Sequence, residues 1–193
     1  MNMSMIDADG LAPAGIRGLK RREYDELVRL GAFENERVEL LYGTVVTMSP
    51  SDPSHDQSIV SLNEALLLQL GGRAQVRVQC SFAASADSEP VPDVLLVPPQ
   101  QYWDDHPSKA YLVVEVARTS LRKDRGIKAR LYGSVTVDEY WIVDVEAGVV
   151  HVMRDPDGDG YWQARRVARR GEVLHPLAFP DVAVAVSRIL PPV

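Results

Sequence analysis

The sequence of 193 residues has little of several features that would place it in a specialised class. Its one cysteine, Cys80, excludes an internal disulfide framework and any zinc site built from several cysteines. No apolar stretch approaches the roughly 18 residues that a membrane-spanning helix needs. Residues 1–9 have neither a basic start nor an apolar core, so no secretory signal peptide is visible. We therefore expect a cytoplasmic protein.

An excess of positive charge is also missing. The formal net charge of −6 argues against broad, non-specific binding of nucleic acid. Locally the charge differs, because six basic residues and one acid, Asp124, occur between Arg118 and Arg130. Such a run is usually a solvated helix face, and a phosphate-binding surface is the alternative interpretation.

Two acidic residues interrupt or border apolar segments of the chain. Asp93 precedes Val94–Val97, and Glu115 lies within Tyr111–Val116. Both segments are short and rich in β-branched residues, which is typical of strands buried on both faces. Ionised carboxylates there are costly unless they are paired or bind a metal, and two in neighbouring strands repel unless a cation lies between them. With Lys128 on the helix predicted next, this pattern suggests a divalent-metal phosphodiesterase.

The remaining patterns predict how the chain is organised. Residues 1–17 are predicted to be a flexible N-terminal tail, and residues 18–193 a single domain. One hairpin is predicted at residues 42–43 and another around residues 147–148, and an apolar helix is predicted to end at residues 71–72. The order is helix, hairpin, helix, several strands, helix and a strand-rich end. It predicts an α/β or α+β sheet with helices packed on it.

Several motifs together resemble a known family. Pro92-Asp93, Glu115-Val116-Ala117 and Asp124-x-x-x-Lys128-x-x-x-Tyr132 resemble the PD-(D/E)XK nuclease superfamily. More closely, the chain resembles the Uma2 family of restriction-endonuclease-like proteins, formerly a domain of unknown function. The supporting segments are Glu39–Gly43, Met48–Pro50 with His55 after it, Val113–Val116 and Glu139–Asp144. The resemblance implies an α/β restriction-endonuclease-like fold, with a central mixed β-sheet flanked by helices and additional β-hairpins.

The resemblance also implies an activity. It predicts an endonuclease that uses Mg²⁺ or Mn²⁺ to hydrolyse phosphodiester bonds in DNA, with Asp93 and Glu115 as metal ligands and Lys128 assisting the attacking water. The superfamily lysine would stand two residues after Glu115, where this chain has Ala117. Lys128, displaced onto the following helix, is expected to replace it. On spacing alone, an exposed helical salt bridge between Asp124 and Lys128 is the competing interpretation.

Two further site residues follow from the same resemblance. Glu39 is expected to approach the metal from the hairpin side, directly or through a water, and the alternative is an exposed strand residue. His55, near the start of its helix, is expected to orient a water or contact phosphate, or to have no special role. A homodimer is expected by analogy with small nucleases that pair to reach both strands.

Two other functions compete with the endonuclease. The first is a non-catalytic module of the same fold that binds nucleic acid or protein, which the acidic net charge favours. The second is a metal-dependent hydrolase of a smaller phosphoester. The first predicts binding that survives Asp93→Ala, and the second predicts cleavage with little dependence on salt.

Overall fold

The computed structural model describes residue 15 and residues 17–192. The tail predicted over residues 1–17 therefore lies almost entirely outside the described residues. The strands in chain order are β1 (Val38–Leu41), β2 (Thr44–Thr47), β3 (Gln75–Val78), β4 (Val94–Val97), β5 (Leu112–Ala117), β6 (Glu139–Asp144), β7 (Val149–Pro156), β8 (Trp162–Arg169), β9 (Val173–Leu174) and β10 (Val184–Ala185).

A six-stranded mixed sheet forms the centre, in the order β3-β4-β5-β6-β7-β8. Only β5 and β6 pair in parallel, and the other neighbours in this sheet are antiparallel. Two-stranded antiparallel sheets are formed by β1 with β2 and by β9 with β10. The predicted architecture, a mixed central sheet with helices and extra hairpins, is confirmed.

Among the described residues, three helices accompany the sheet. Helix α1 spans Arg21–Arg29 and α2 spans Pro53–Leu70. Helix α3 supplies the crossover between the parallel strands β5 and β6 and has three consecutive segments: an α-helical turn Leu121–Lys123, a π-helical stretch Asp124–Lys128 and an α-helical end Ala129–Gly133. A short 3₁₀ turn, Val186–Arg188, follows β10. None of the helices in the described part of the chain has the length and apolarity that a membrane crossing requires.

The central strands are apolar throughout because both faces of the sheet are covered. In β4, Val94 and Leu96 pack into a core that includes α2, whereas Leu95 and Val97 pack into a second core that includes residues of α3. The same alternation runs through β5. A two-sided sheet explains the uninterrupted hydrophobic segments in the sequence. It also means that a carboxylate on these strands must be accommodated inside the protein.

The β1–β2 hairpin turns at Tyr42 and Gly43, as predicted. Both residues have positive φ values, 48° and 76°, which is the backbone of the tight turns that suit the twist of a hairpin. A Cβ at residue 43 would lie 2.8 Å from the Cα of Gly18, so the close approach requires glycine. The strand carrying Glu39 is thereby held against the rest of the molecule, where Leu40 forms an antiparallel bridge with Glu89.

Candidate active site

The two strand carboxylates are neighbours across the sheet. Val94 pairs with Val114 in the antiparallel register of β4 and β5, and continuing that register by one residue sets Asp93 opposite Glu115. Both residues are almost fully buried, with 7% and 4% of their surface exposed. The backbone N–H of Val116 donates a 2.8 Å hydrogen bond to Oδ2 of Asp93. Both carboxylates line one cleft.

Lys128 joins two of the predicted site residues. Its Nζ lies 2.9 Å from Oε1 of Glu115 and 3.0 Å from Oε2 of Glu39. The lysine is 2% exposed and Glu39 is fully buried. Burial alone would lower the pKa of Lys128, but the attraction of Glu115 and Glu39 raises it above its ordinary value. The two carboxylates therefore favour the charged form of Lys128.

A second lysine, Lys123, also contacts Glu39, and the sequence analysis did not assign it to the site. Lys123 Nζ lies 2.8 Å from Oε1 of Glu39, and the lysine side chain is 29% exposed. Burial opposes ionisation of Glu39, but the charges of Lys128 and Lys123 outweigh burial and hold its pKa below the ordinary value. Glu39 therefore contacts two cations, and its approach to a metal stays a prediction. The alternative of an exposed strand residue is wrong, because Glu39 is fully buried.

The π-helical stretch of α3 makes this double contact possible. Hydrogen bonds from residue i to i+5 widen the helical turn, so that residues five apart lie nearly on one side. Lys123 and Lys128 are five apart and reach the same carboxylate. π-Bulges of this kind occur frequently at functional sites. An ordinary α-helix would have turned the two lysines in different directions.

Asp124 does not pair with Lys128 in the described structure, so the competing interpretation of a helical salt bridge is wrong. It is 1% exposed and lines the cleft, and the hydroxyl of Ser120 donates a short hydrogen bond to its carboxylate. Burial raises the pKa of Asp124, which Lys128 and Ser120 only partly offset. Asp124 therefore adds a further buried acid beside Glu115.

Glu115 carries the most perturbed carboxyl group of the site. Burial raises its pKa to about 8; Lys128 opposes the shift, whereas the charges of Asp124, Asp93 and Glu39 reinforce it. The hydroxyl of Tyr132 donates a 2.8 Å hydrogen bond to the same Oε1 that Lys128 contacts. The site thus has more acidic groups than the lysines neutralise, which favours an additional cation.

His55 lies on the other side of Asp93, close to the start of α2. Asp52 caps this helix, accepting hydrogen bonds from the N–H groups of Ser54 at 2.9 Å and His55 at 3.4 Å. His55 Nε2 lies 3.3 Å from Oδ2 of Asp93, and this contact raises the pKa of the histidine to about 9. Burial would raise the pKa of Asp93, but His55 and the Val116 N–H lower it below its ordinary value. Asp93 is therefore ionised and His55 protonated at neutral pH.

Gln79 is another contributor to which the sequence analysis gave no role. It follows β3 with a φ of 49°, a left-handed backbone that is uncommon for a residue other than glycine. Its backbone N–H donates to the carbonyl of Asp93, and its side-chain amide lies 3.4 Å from Oδ1. Backbone strain of this kind is often found at functional sites. Sequence alone provides no signal for it, because glutamine is not expected there.

The donor chemistry of the cleft fits a hard divalent cation. Mg²⁺ typically takes one or two carboxylates and completes its shell with waters and phosphate oxygens. Asp93 and Glu115 supply two such groups. Within residue 15 and residues 17–192, no group of three or more His, Cys, Asp or Glu side chains could hold a metal ion unaided. A cation here would therefore rely on waters or substrate for most of its ligands.

Comparisons with known proteins identify the family and the fold of this chain. The model of a family named Uma2, described as a putative restriction endonuclease, matches residues 22–187. No curated protein is similar enough in sequence to match the chain. A crystal structure of a putative nuclease of the group DUF820 from Anabaena variabilis ATCC 29413 superposes with a TM-score of 0.69 at 13% identity, covering 89% of this chain and 97% of that one.

A second solved structure is the type IIG restriction endonuclease BpuSI. It aligns at 20% identity over 62% of this chain and 14% of that much larger one, with a TM-score of 0.36. That score does not establish a common fold. The match to the Anabaena structure does establish one, and it covers nearly the full length of both proteins.

Proposed function

Since this chain belongs to the Uma2 family, which is described as a putative restriction endonuclease family, we propose that it is a metal-dependent endonuclease that hydrolyses phosphodiester bonds in DNA. The family supports a nuclease-like function. One observation carries the finer proposal: Asp93 and Glu115 are buried cross-strand neighbours that open into the same cleft, beside a lysine that is held charged.

Asp93 and Glu115 are the proposed ligands of Mg²⁺ or Mn²⁺. The hydrogen bonds of Glu115 from Lys128 and Tyr132 both reach Oε1, which leaves Oε2 available as a ligand. A divalent cation would relieve the repulsion between Glu115 and the acidic side chains around it. When bound, such an ion neutralises charge on the phosphate and lowers the pKa of a water molecule.

Lys128 would act as a fixed positive charge. Its raised pKa keeps the proton on Nζ, so it stabilises negative charge developing on the phosphate and does not accept a proton from water. Glu39 is a positioning residue, because it contacts both Lys128 and Lys123. Preorganised charges of this kind cost no rearrangement during the reaction.

His55 would orient Asp93. Both of its ring nitrogens lie 3.3 Å from carboxylates, Nε2 from Asp93 and Nδ1 from Asp56. The protonated ring thus keeps Asp93 ionised and fixed in direction. A ligand carboxylate must be deprotonated to bind metal, so this contact prepares Asp93 for the cation.

The substrate would be held by positive side chains around the cleft. Arg37, Arg118 and Lys123 line it, in a protein whose overall net charge is −6. Attraction to the phosphate backbone would thus be local, and binding should weaken as salt rises. We also propose a cytoplasmic location. We propose a homodimer as well, because two copies would present one centre to each strand of a duplex.

The test is cleavage of supercoiled plasmid by purified protein with Mg²⁺, with Mn²⁺ and with a chelator. We expect metal-dependent nicking that falls at least about 100-fold in Asp93→Asn. The matched control is Asp181→Asn, an exposed aspartate paired with Arg73 away from the cleft. Wild-type protein that binds metal but leaves DNA of varied sequence intact would contradict the proposal.

A second candidate is a non-catalytic module that binds nucleic acid on the same fold. The observation that favours it is the pairing of Glu39 and Glu115 with lysines in the absence of any metal-holding group of three within the described residues. This candidate predicts DNA binding that is equal in the wild type and in Asp93→Asn, together with no cleavage by either. Mobility-shift assays on the same two proteins separate the candidates.

A further inference from the structure

A second cavity, of about 490 Å³, lies apart from the two strand carboxylates. Helix α1 forms one wall with Tyr24 and Asp25, and the loop after β4 forms another with Tyr102, Trp103 and His106. Its lining combines aromatic rings with acidic side chains and one arginine, Arg29. The proposed reaction uses none of these residues.

A buried carboxylate with one unpaired oxygen lines this cavity. Glu89 is 3% exposed, and among the described residues its Oε2 has no hydrogen bond. The nearest cation, Arg21, stays 3.8 Å from Oε2 because its guanidinium hydrogen bonds to Asp105 at 2.7 and 3.2 Å. His106 Nε2 is 3.6 Å from Oε1, also beyond hydrogen-bond distance. Buried polar groups left unpaired in this way are rare and call for an explanation.

The surroundings disfavour a negative charge on Glu89 as the protein stands. Burial, followed by the charge of Asp25 and a hydrogen bond with it, raises the pKa of Glu89 to about 7. A hydrogen bond with Ser81 and the charge of Arg21 offset only part of this rise. A carboxylate with this environment gains most from a positively charged ligand that donates hydrogen bonds. Such a ligand would supply the hydrogen-bond donor that the carboxylate of Glu89 lacks.

The aromatic residues narrow the class of cation. Trp103 is 86% exposed at the rim of the cavity, although indole rings are costly to leave in water. Indole faces attract ammonium and guanidinium groups, and tryptophan is the strongest of the aromatic residues in this respect. A metal ion would gain nothing from these rings. The described residues, moreover, form no metal-holding group here.

We propose that this cavity binds an organic cation, the ammonium or guanidinium head of a polyamine or of a basic side chain. Glu89 serves as its anionic anchor and Trp103 as the ring that covers it. Asp25 extends the acidic wall on α1. The site is separate from the proposed nuclease centre, and its occupancy does not require Asp93.

The probes are agmatine and N-acetylargininamide, with the neutral N-acetylcitrullinamide as the matched control ligand. Binding is measured by calorimetry and by quenching of tryptophan fluorescence in the full chain. We expect both cations to bind and the neutral analogue not to bind. Glu89→Gln should weaken binding about tenfold or more and Trp103→Leu about threefold, whereas Asp159→Asn, an exposed acid elsewhere, should change nothing.

Stability measurements separate a binding defect from misfolding. Without ligand, Glu89→Gln should melt at the same temperature as the wild type or higher, because the change removes an unpaired buried charge. Saturating agmatine should raise the melting temperature of the wild type and of Asp93→Asn alike, and not that of Glu89→Gln. Tighter binding of N-acetylargininamide would identify a polypeptide ligand, and tighter binding of agmatine a polyamine. Equal binding by Glu89→Gln, or loss of binding in Asp93→Asn, would overturn the proposal.

Discussion

Two buried glutamates, Glu115 and Glu139, show how similar burial can accompany different roles. Glu139 begins β6 and is fully buried. Its Oε1 accepts hydrogen bonds from Trp141 Nε1 and Arg154 Nε, both at 2.7 Å, and its Oε2 accepts one from the Leu177 N–H at 2.7 Å. Each oxygen thus has donors fixed by the fold. Glu139 ties β6 to β7 and to the C-terminal segment.

Glu115 is almost as buried, but its environment is different. Both hydrogen bonds from Lys128 and Tyr132 reach Oε1, and three other acids lie close enough to raise its pKa. It also lines the cleft, which Glu139 does not. Burial alone therefore does not identify a functional carboxylate. An incomplete set of donors at a cleft is the distinguishing feature.

The largest expected difference between Glu115 and Glu139 appears when each is replaced by glutamine. Glu115→Gln should lower the cleavage rate at least about 100-fold with little loss of stability, because the amide cannot replace a charged metal ligand. Glu139→Gln should cost about 2 kcal/mol of unfolding free energy, because Arg154 loses its buried partner, and should leave the cleavage rate of folded protein unchanged. Plasmid nicking and urea titration measure the two effects. Equal losses of cleavage would break the contrast.

The pH dependence of metal affinity is the next largest effect. With a pKa of about 8, Glu115 holds a proton at neutral pH that a metal must displace. Affinity for Mn²⁺ should therefore rise by up to about tenfold per pH unit from pH 6 to pH 8. His55, whose pKa is about 9, stays protonated in this range, so it adds little to the pH dependence of the Mn²⁺ affinity.

The raised pKa of Glu115 also makes the stability of the metal-free protein depend on pH. Between the ordinary glutamate pKa and about 8, the folded protein binds a proton at Glu115 that the unfolded chain has released. Stability contributed by this group should therefore fall as pH rises through that window. Glu115→Gln should flatten both profiles, whereas Asp181→Asn should keep both. An affinity for Mn²⁺ that is independent of pH would contradict the combination of a raised pKa and a ligand role for Glu115.

Part of the site could be predicted because the relevant residues disturb a regular pattern. Asp93 and Glu115 interrupt two β-branched segments, and the hairpin turn after β1 has its signature in Tyr42-Gly43. The antiparallel register then brings the carboxylates together without further assumptions. The family resemblance favoured a site role for Lys128 over a helical salt bridge, and Lys128 lies beside Glu115 in the structure.

Other parts of the site depend on tertiary context that no local pattern encodes. Lys123 and Lys128 share Glu39 only because the helix widens between them, and a weak helix former such as Gly126 is the one local hint. Glu89 stands in a proline-rich loop that reads as exposed, yet a bridge to Leu40 buries it. Periodicity describes single elements and does not report which loop an adjacent hairpin covers.

The smallest expected effect compares the two lysines that contact Glu39. Lys123 is partly exposed, so Lys123→Met should lower cleavage only a few fold and change stability by less than about 1 kcal/mol. Lys128→Met should cost far more in both, because it leaves two buried carboxylates without their shared cation. Cleavage assays and urea titrations on the pair measure this difference. Equal effects of the two substitutions would mean that Glu39 needs only one positive charge nearby. The exact position of Lys128 in the π-helical stretch would then not matter for cleavage or stability.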